Sequence, residues 1–140
     1  MHVQPEEPMT LEASVLREDA VRRTRQGYEV DVHLAWYRSL PLSCVEDLSI
    51  VVAGKKASRK DIRVLRDGRS LTLDDLAGLA DEEWFVQDPL TVLVPDVSPL
   101  AQGSETEVEV TLATRIPYII IGPEQALVKP THVARKVTVR

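Results

Sequence analysis

Hydrophobic and polar residues alternate along several segments of the chain, with a period of two residues. The clearest segments cover residues 28–34, 90–94, 108–116 and 133–139. In the first of them Tyr28, Val30, Val32 and Leu34 alternate with polar residues, so four apolar side chains share one face of a strand. Strands with one apolar and one polar face are typical of antiparallel sheets that have one face in water. The pattern therefore predicts a protein made mostly of antiparallel strands.

Short turn signals separate these segments. Ala53-Gly54 lies between the apolar segments 48–52 and 62–65, and Asp67-Gly68 is the strongest hairpin signal in the chain. Only Thr72–Leu79 has leucines at helical spacing, and it predicts one short helical turn capped by Thr72 or Asp74. We therefore expect an all-β fold, a two-sheet antiparallel β-sandwich of the immunoglobulin-like type with seven to nine strands, and a jelly roll is the alternative. Residues 1–10 are expected to form a loose N-terminal arm and residues 11–140 a single domain.

Composition narrows the possible functions. The 140 residues carry a formal net charge of −5, which argues against a general nucleic-acid binder. No apolar run is long enough to span a membrane, and the acidic, proline-containing start is unlike a secretory signal, so we expect a cytoplasmic protein. The single cysteine allows no internal disulfide. His2, His33 and His132 lie far apart and show no metal-ligand spacing, which argues against a metal site built by this chain alone.

Few residues offer catalytic chemistry. His33 and Asp31 lie two residues apart and could form an oriented general base, but a surface pair between strands is the simpler interpretation. Cys44 is followed by Glu46 and Asp47, so a buried or interface cysteine is favoured over a nucleophile. The acidic pair at 74–75 and the acidic triplet at 81–83 lack the pattern of a calcium loop and are expected to be solvated turns.

The segment 34–43 differs, because the alternation stops there while large side chains continue. Trp, Tyr and Arg are enriched in protein–protein contacts, since each covers a large area and keeps a polar group. The segment could be a contact surface for a partner, a plug of the core, or a platform that stacks on a ligand. A second apolar segment, 118–121, could extend the same surface or be a buried strand kinked by Pro117. The predicted contact residues are Trp36, Tyr37, Arg38, Leu40, Pro41, Leu42, Tyr118 and Ile119.

Several of these motifs together resemble the small β subunit of bacterial C-glycoside deglycosidases. The resemblance rests on Gly27-Tyr28-Glu29-Val30-Asp31-Val32, on Trp36-Tyr37-Arg38-Ser39-Leu40-Pro41-Leu42-Ser43 and on Val45-Glu46-Asp47. It continues through Lys60-Asp61-Ile62, Thr72–Leu76, Trp84, Pro89–Val92 and the strand 107–114, and so covers about residues 25–140.

The resemblance implies a heteromeric C–C lyase in which this chain is auxiliary and holds no catalytic residue, cofactor or metal. In that family a TIM-barrel α subunit carries the catalytic histidine and a divalent metal, usually manganese (Mn2+). The substrate is a 3-oxo-C-glucoside with a phenolic aglycone, whose identity the sequence leaves open. The resemblance implies neither nucleic-acid nor membrane binding. A stand-alone carbohydrate-binding or interaction module and a homo-oligomeric structural protein are the alternatives.

Overall fold

The computed structural model describes residues 11–140, so the predicted arm at 1–10 lies outside the described residues. Nearly all regular structure in this range is strand. The helices are α1 (Leu11–Ser14) and α2 (Leu73–Leu76), and 3₁₀ turns cover Leu42–Cys44 and Arg59–Asp61. The strands are β1 (Val21–Thr24), β2 (Gly27–Val32), β3 (Leu40–Pro41), β4 (Val45–Val52), β5 (Lys55–Lys56), β6 (Arg63–Arg66), β7 (Arg69–Leu71), β8 (Glu83–Trp84), β9 (Leu90–Pro95), β10 (Glu105–Gly122) and β11 (Gln125–Thr138).

The strands form two main sheets and one small sheet. The first main sheet has the order β1-β2-β9-β6-β7, the second has the order β11-β10-β4-β5, and β3 pairs with β8. Neighbouring strands are antiparallel throughout. An immunoglobulin fold places strands A, B, E and D in one sheet and G, F and C, with C′ in some members, in the other. When these strands are lettered in chain order, the order β1-β2-β9-β6 corresponds to A-B-E-D. The order β11-β10-β4-β5 corresponds to G-F-C-C′. The predicted all-β, immunoglobulin-like sandwich is confirmed.

Two hairpins have the turn chemistry that the sequence predicts. Ala53 and Gly54 connect β4 to β5 with φ values of 51° and 79°, and Asp67 and Gly68 connect β6 to β7 with φ values of 50° and 78°. Two consecutive residues with positive φ form the loop whose twist matches that of the flanking strands. The Asp67-Gly68 signal therefore marks a real hairpin.

The core lies between the two main sheets and is built by the alternating apolar positions. Tyr28, Val30 and Val32 are buried on one side, and Val108, Val110 and Leu112 are buried on the other. Since period-two alternation places these side chains on one face of each strand, burial follows directly from the sequence pattern.

Helix α2 confirms the predicted helical turn, including its cap. Thr72 Oγ1 accepts a hydrogen bond from the Asp75 amide (3.1 Å), and Asp75 Oδ2 accepts one from the Thr72 amide (2.9 Å). This reciprocal capping box satisfies donors that a short helix leaves free. The expectation that no other segment is helical is wrong, because α1 and the two 3₁₀ turns exist. Each of these three segments holds at most one leucine, so none has the leucine spacing that marks residues 72–79.

The β10–β11 hairpin is longer than the sheet to which it belongs. β4 pairs with β10 only as far as Thr114, whereas β11 pairs with it as far as Gly122. Ile116 pairs with Leu127 and Ile120 pairs with Ala126, so three residues of β10 lie between two consecutive residues of β11 and the register shifts. Pro117 lies in this bulge, where its missing N–H breaks no ladder hydrogen bond. The end of the hairpin thus extends past the neighbouring strand β4.

Candidate functional site

The two apolar segments singled out in the sequence meet at one end of the sandwich. The indole Nε1 of Trp36 donates a hydrogen bond to the Tyr118 hydroxyl, across 82 positions of sequence. The rings of Trp36 and Tyr37 have centroids 5.4 Å apart at an interplanar angle of 60°. The guanidinium carbon of Arg38 lies 5.7 Å from the centroid of the Tyr118 ring, within the range of a cation–π contact. We call Trp36, Tyr37, Arg38 and Tyr118 the aromatic surface.

Charged side chains hold the hairpin against this segment. Lys129 Nζ donates to the Ala35 carbonyl at 3.3 Å and to Thr131 Oγ1 at 3.2 Å. Arg115 pairs with Glu46 at 2.5 Å and donates to the Ser43 carbonyl at 3.1 Å. Charge-assisted hydrogen bonds of this kind are stronger than neutral ones. The aromatic surface is therefore fixed from both sides before any partner binds.

The aromatic surface is accessible to a partner at two of its rings. Tyr37 is 75% exposed and Tyr118 is 51% exposed, while Trp36 and Ile119 pack in part against the core. Arg38 is exposed and Pro41 is half-buried. These six predicted residues lie at the same end of the sandwich and stay the predicted subunit contact.

Two of the predicted contact residues are buried in the chain itself. Leu40 pairs with Trp84 between β3 and β8, and Leu42 donates its amide hydrogen to the Glu82 carbonyl at 2.8 Å. Their side chains are 2% and 0% exposed. The prediction of Leu40 and Leu42 as contact residues is wrong, because the folded chain covers both of them. For these two the alternative interpretation, a plug of the core, is the right one.

Other exposed apolar residues lie at this end and are missing from the predicted set. Among the described residues, seven large hydrophobic side chains are exposed, and six of them lie here: Tyr37, Phe85, Tyr118, Ile120, Ile121 and Val128. Phe85 belongs to this end because the next amide, of Val86, donates to Ser39 Oγ at 2.9 Å. The seventh, Val97, follows the far end of β9. We call these six residues the apolar end. The uninterrupted run 118–121 before Gly122-Pro123 was the sequence signal for its hairpin part.

The His33–Asp31 pair does not exist as a surface pair. β2 ends at Val32, and His33 is buried with no hydrogen-bond partner for Nδ1 among the described residues. The Asp31 carboxylate instead accepts two hydrogen bonds from Arg22, at 2.7 and 3.0 Å, and one from Thr91 Oγ1 at 2.9 Å. Burial acts to raise the pKa of Asp31, but these hydrogen bonds and the Arg22 charge outweigh it and lower the pKa.

Burial of His33 predicts a pH dependence of stability. Burial, and then the charge of Arg17, lower the pKa of His33 below its ordinary value, while Asp31, Asp19 and Asp88 oppose the shift. At pH values below about 6.5 the unfolded chain takes up a proton that the folded chain resists, so the free energy of unfolding falls as the pH drops. Urea denaturation at pH 7.5 and 5.0 should show a smaller loss in His33→Gln than in the unsubstituted chain. Equal losses would contradict the assignment. Asp31 does not interfere, because its pKa lies below this window.

The remaining candidate groups have structural roles. Cys44 is buried, and burial raises the pKa of its thiol against the opposing charge of Arg115, which disfavours a nucleophile. Asp75 caps α2, Asp74 pairs with Arg59 at 2.9 Å, and Glu82 pairs with Arg69. No three His, Cys, Asp or Glu residues in the described part of the chain are grouped to hold a metal ion. None of the helices within residues 11–140 is long and apolar enough to cross a membrane.

Comparison with known proteins decides the family. The family model described as C-glycoside deglycosidase beta subunit matches residues 8–118. The chain belongs to the C-glycoside deglycosidase beta-subunit family. The match includes all of the aromatic surface, and it ends before the tip of the β10–β11 hairpin.

Individual relatives of this β-subunit family agree with the match. The chain is 36% identical over 130 residues to a C-glycoside deglycosidase beta subunit of Arthrobacter globiformis. This alignment covers 92% of this chain and 98% of the relative. It is 37% identical over 117 residues to the protein of the same name from Microbacterium trichothecenolyticum, covering 84% of each chain. A 3'-dehydrocarminate deglycosidase beta subunit of a Microbacterium species is 31% identical over 108 residues, 77% of this chain and 80% of that one.

Proposed function

We propose that this chain is the auxiliary, non-catalytic β subunit of a heteromeric C-glycoside deglycosidase. The observation that carries the proposal is the apolar end, since six of the seven exposed large apolar side chains in residues 11–140 lie there, in a chain of a subunit family. Monomeric proteins seldom expose large contiguous apolar patches, and those that exist usually mark an interaction site. The partner is the catalytic α subunit, a TIM barrel, and both chains are cytoplasmic.

The proposed reaction is a lyase cleavage of the C–C bond between a 3-oxo-glucosyl unit and a phenolic aglycone. The ketone at C3 makes the proton on C2 more acidic, and removal of that proton leaves an enolate. The electron pair then forms the C1–C2 double bond as the C1–aglycone bond breaks, and the aglycone carbon takes up a proton. The described residues of this chain do not fit a metal centre. As the resemblance to this family implies, the catalytic histidine and a divalent metal, Mn2+, belong to the α subunit.

The β subunit contacts the α subunit through the aromatic surface together with Pro41 and Ile119. Trp, Tyr and Arg are the side chains most enriched among residues that dominate binding energy. The Trp36–Tyr118 hydrogen bond and the Arg38–Tyr118 contact hold these side chains in place, so little conformational entropy is lost when they bind.

Release of aglycone from a 3-oxo-C-glucoside tests the proposal. The assay compares three samples with manganese present: this chain alone, a TIM-barrel α subunit alone, and the two co-expressed. We expect aglycone only from the co-expressed sample, together with co-purification of the two chains. Activity of the α subunit alone at the same rate would contradict an obligatory auxiliary role. Sugar binding by this chain alone, without a complex, would favour a carbohydrate-binding module, for which Tyr37 would be the stacking platform.

A further inference from the structure

The end of the β10–β11 hairpin, past β4, exposes large apolar side chains. Ile120 and Ile121 are neighbours in a strand and are 62% and 58% exposed, and Val128 on the opposing strand is exposed as well. Ile121 lies in a second register shift of β10, between Ile120 and Gly122, where regular alternation of side chains is interrupted. Leu127 packs in part against the core. The described part of the chain nevertheless leaves Ile120 and Ile121 more than half exposed.

The chemistry of the tip specifies what can cover it. Glu124 is the only charged residue between Ile119 and Val128. A surface of isoleucine and valine with one charge at its apex fits an apolar cleft that is open at the bottom or carries a cation there. It does not fit a nucleic acid, since no cation on the tip could meet a phosphate.

The exposed aromatic area of the apolar end is smaller than the area that a stable interface buries. A fully buried aromatic side chain covers about 150–250 Å², so the exposed parts of Tyr37, Phe85 and Tyr118 offer roughly 250–450 Å². A stable interface buries about 800 Å² on each partner. The tip continues directly from Tyr118 along β10 and would supply part of the difference.

We propose that the hairpin tip, Ile120 to Val128, inserts into an apolar cleft of the α subunit and is a second contact separate from the aromatic surface. The proposal rests on the proposed function, because it takes the α subunit as the occupant. A flat sandwich end would hold the partner by one face only. A tip that enters a cleft also fixes the rotation of the two chains relative to each other.

The affinity of purified chains for the α subunit tests the insertion. The variant Ile120→Ser/Ile121→Ser is compared with the unsubstituted chain, and Val97→Ser at the opposite end is the control, because Val97 is an exposed aliphatic residue as well. We expect about 30- to 100-fold weaker binding for the double variant and no change for Val97→Ser. Val128→Ser provides a second variant on the other strand. The thermal midpoint should change little in all three, since each replaced side chain is at least 42% exposed.

The outcomes separate the two proposals. If the unsubstituted chain binds and activates the α subunit but the tip variants bind equally well, the insertion is wrong and the proposed function stands. If the unsubstituted chain neither binds nor activates it, the proposed function fails and the insertion falls with it. If sedimentation shows that the unsubstituted chain self-associates and the tip variants do not, the occupant is a second copy and the insertion is overturned.

Discussion

Replacing Leu42 with aspartate is expected to lower the free energy of unfolding by about 4–5 kcal/mol, most of the stability of a typical small domain. The Leu42 side chain has no exposed area, and its backbone is fixed by the hydrogen bond to Glu82. A carboxylate there would lose its hydration in an apolar site. Urea denaturation followed by circular dichroism should show a far lower midpoint, or an unfolded chain without denaturant.

Tyr37→Asp is the matched control, because it introduces the same charge five positions earlier. Tyr37 is mostly exposed, so the free energy of unfolding should change by no more than about 0.5 kcal/mol. Binding to the α subunit should weaken instead. A Leu42→Asp chain with an unchanged urea midpoint would show that Leu42 is not in the core and would restore it as a contact residue.

Gly27→Ala is expected to be nearly as damaging, by about 3–4 kcal/mol. A Cβ atom at this position would lie 2.2 Å from the Val94 carbonyl oxygen and 2.5 Å from the Asp96 amide nitrogen. Both are backbone atoms of or next to β9, so only a shift of the strand could relieve the clash. The φ of 142° adds strain for any L-residue with a side chain. The expected result is a large drop in the urea midpoint, and binding of the α subunit should fall with the folded fraction.

Gly54→Ala separates the clash from the backbone strain. Gly54 also has a positive φ, of 79°, but no atom lies within 4 Å of the position that a Cβ atom would take there. Its substitution should therefore cost only about 1 kcal/mol. Equal losses in the two variants would show that strand β9 yields easily and that the close approach at Gly27 contributes little.

The aromatic surface was predictable in its composition and not in its boundaries. Residues 34–43 stand out because the alternation stops while large side chains continue, and that signal led correctly to Trp36, Tyr37 and Arg38 as exposed or partly exposed residues. The same signal could not separate Leu40 and Leu42 from them. Their burial depends on β3 pairing with β8, more than 40 residues later in the chain, and on the 3₁₀ turn that follows. His33 was misplaced because the alternation was extended to Leu34, two residues past the end of β2.

Much of this protein was determined by its sequence alone. The alternating strands, the Asp67-Gly68 hairpin, the capping box of α2 and the immunoglobulin-like sandwich all follow from local patterns, because period and turn chemistry act on residues close together in the chain. The tertiary structure decided which apolar residues are exposed. Trp36 meets Tyr118, and Ile120 and Ile121 stay uncovered, only because β10 continues past the end of β4. How far β10 extends past β4 depends on where the pairing between these two distant strands ends. The local hydrophobic period does not predict that point.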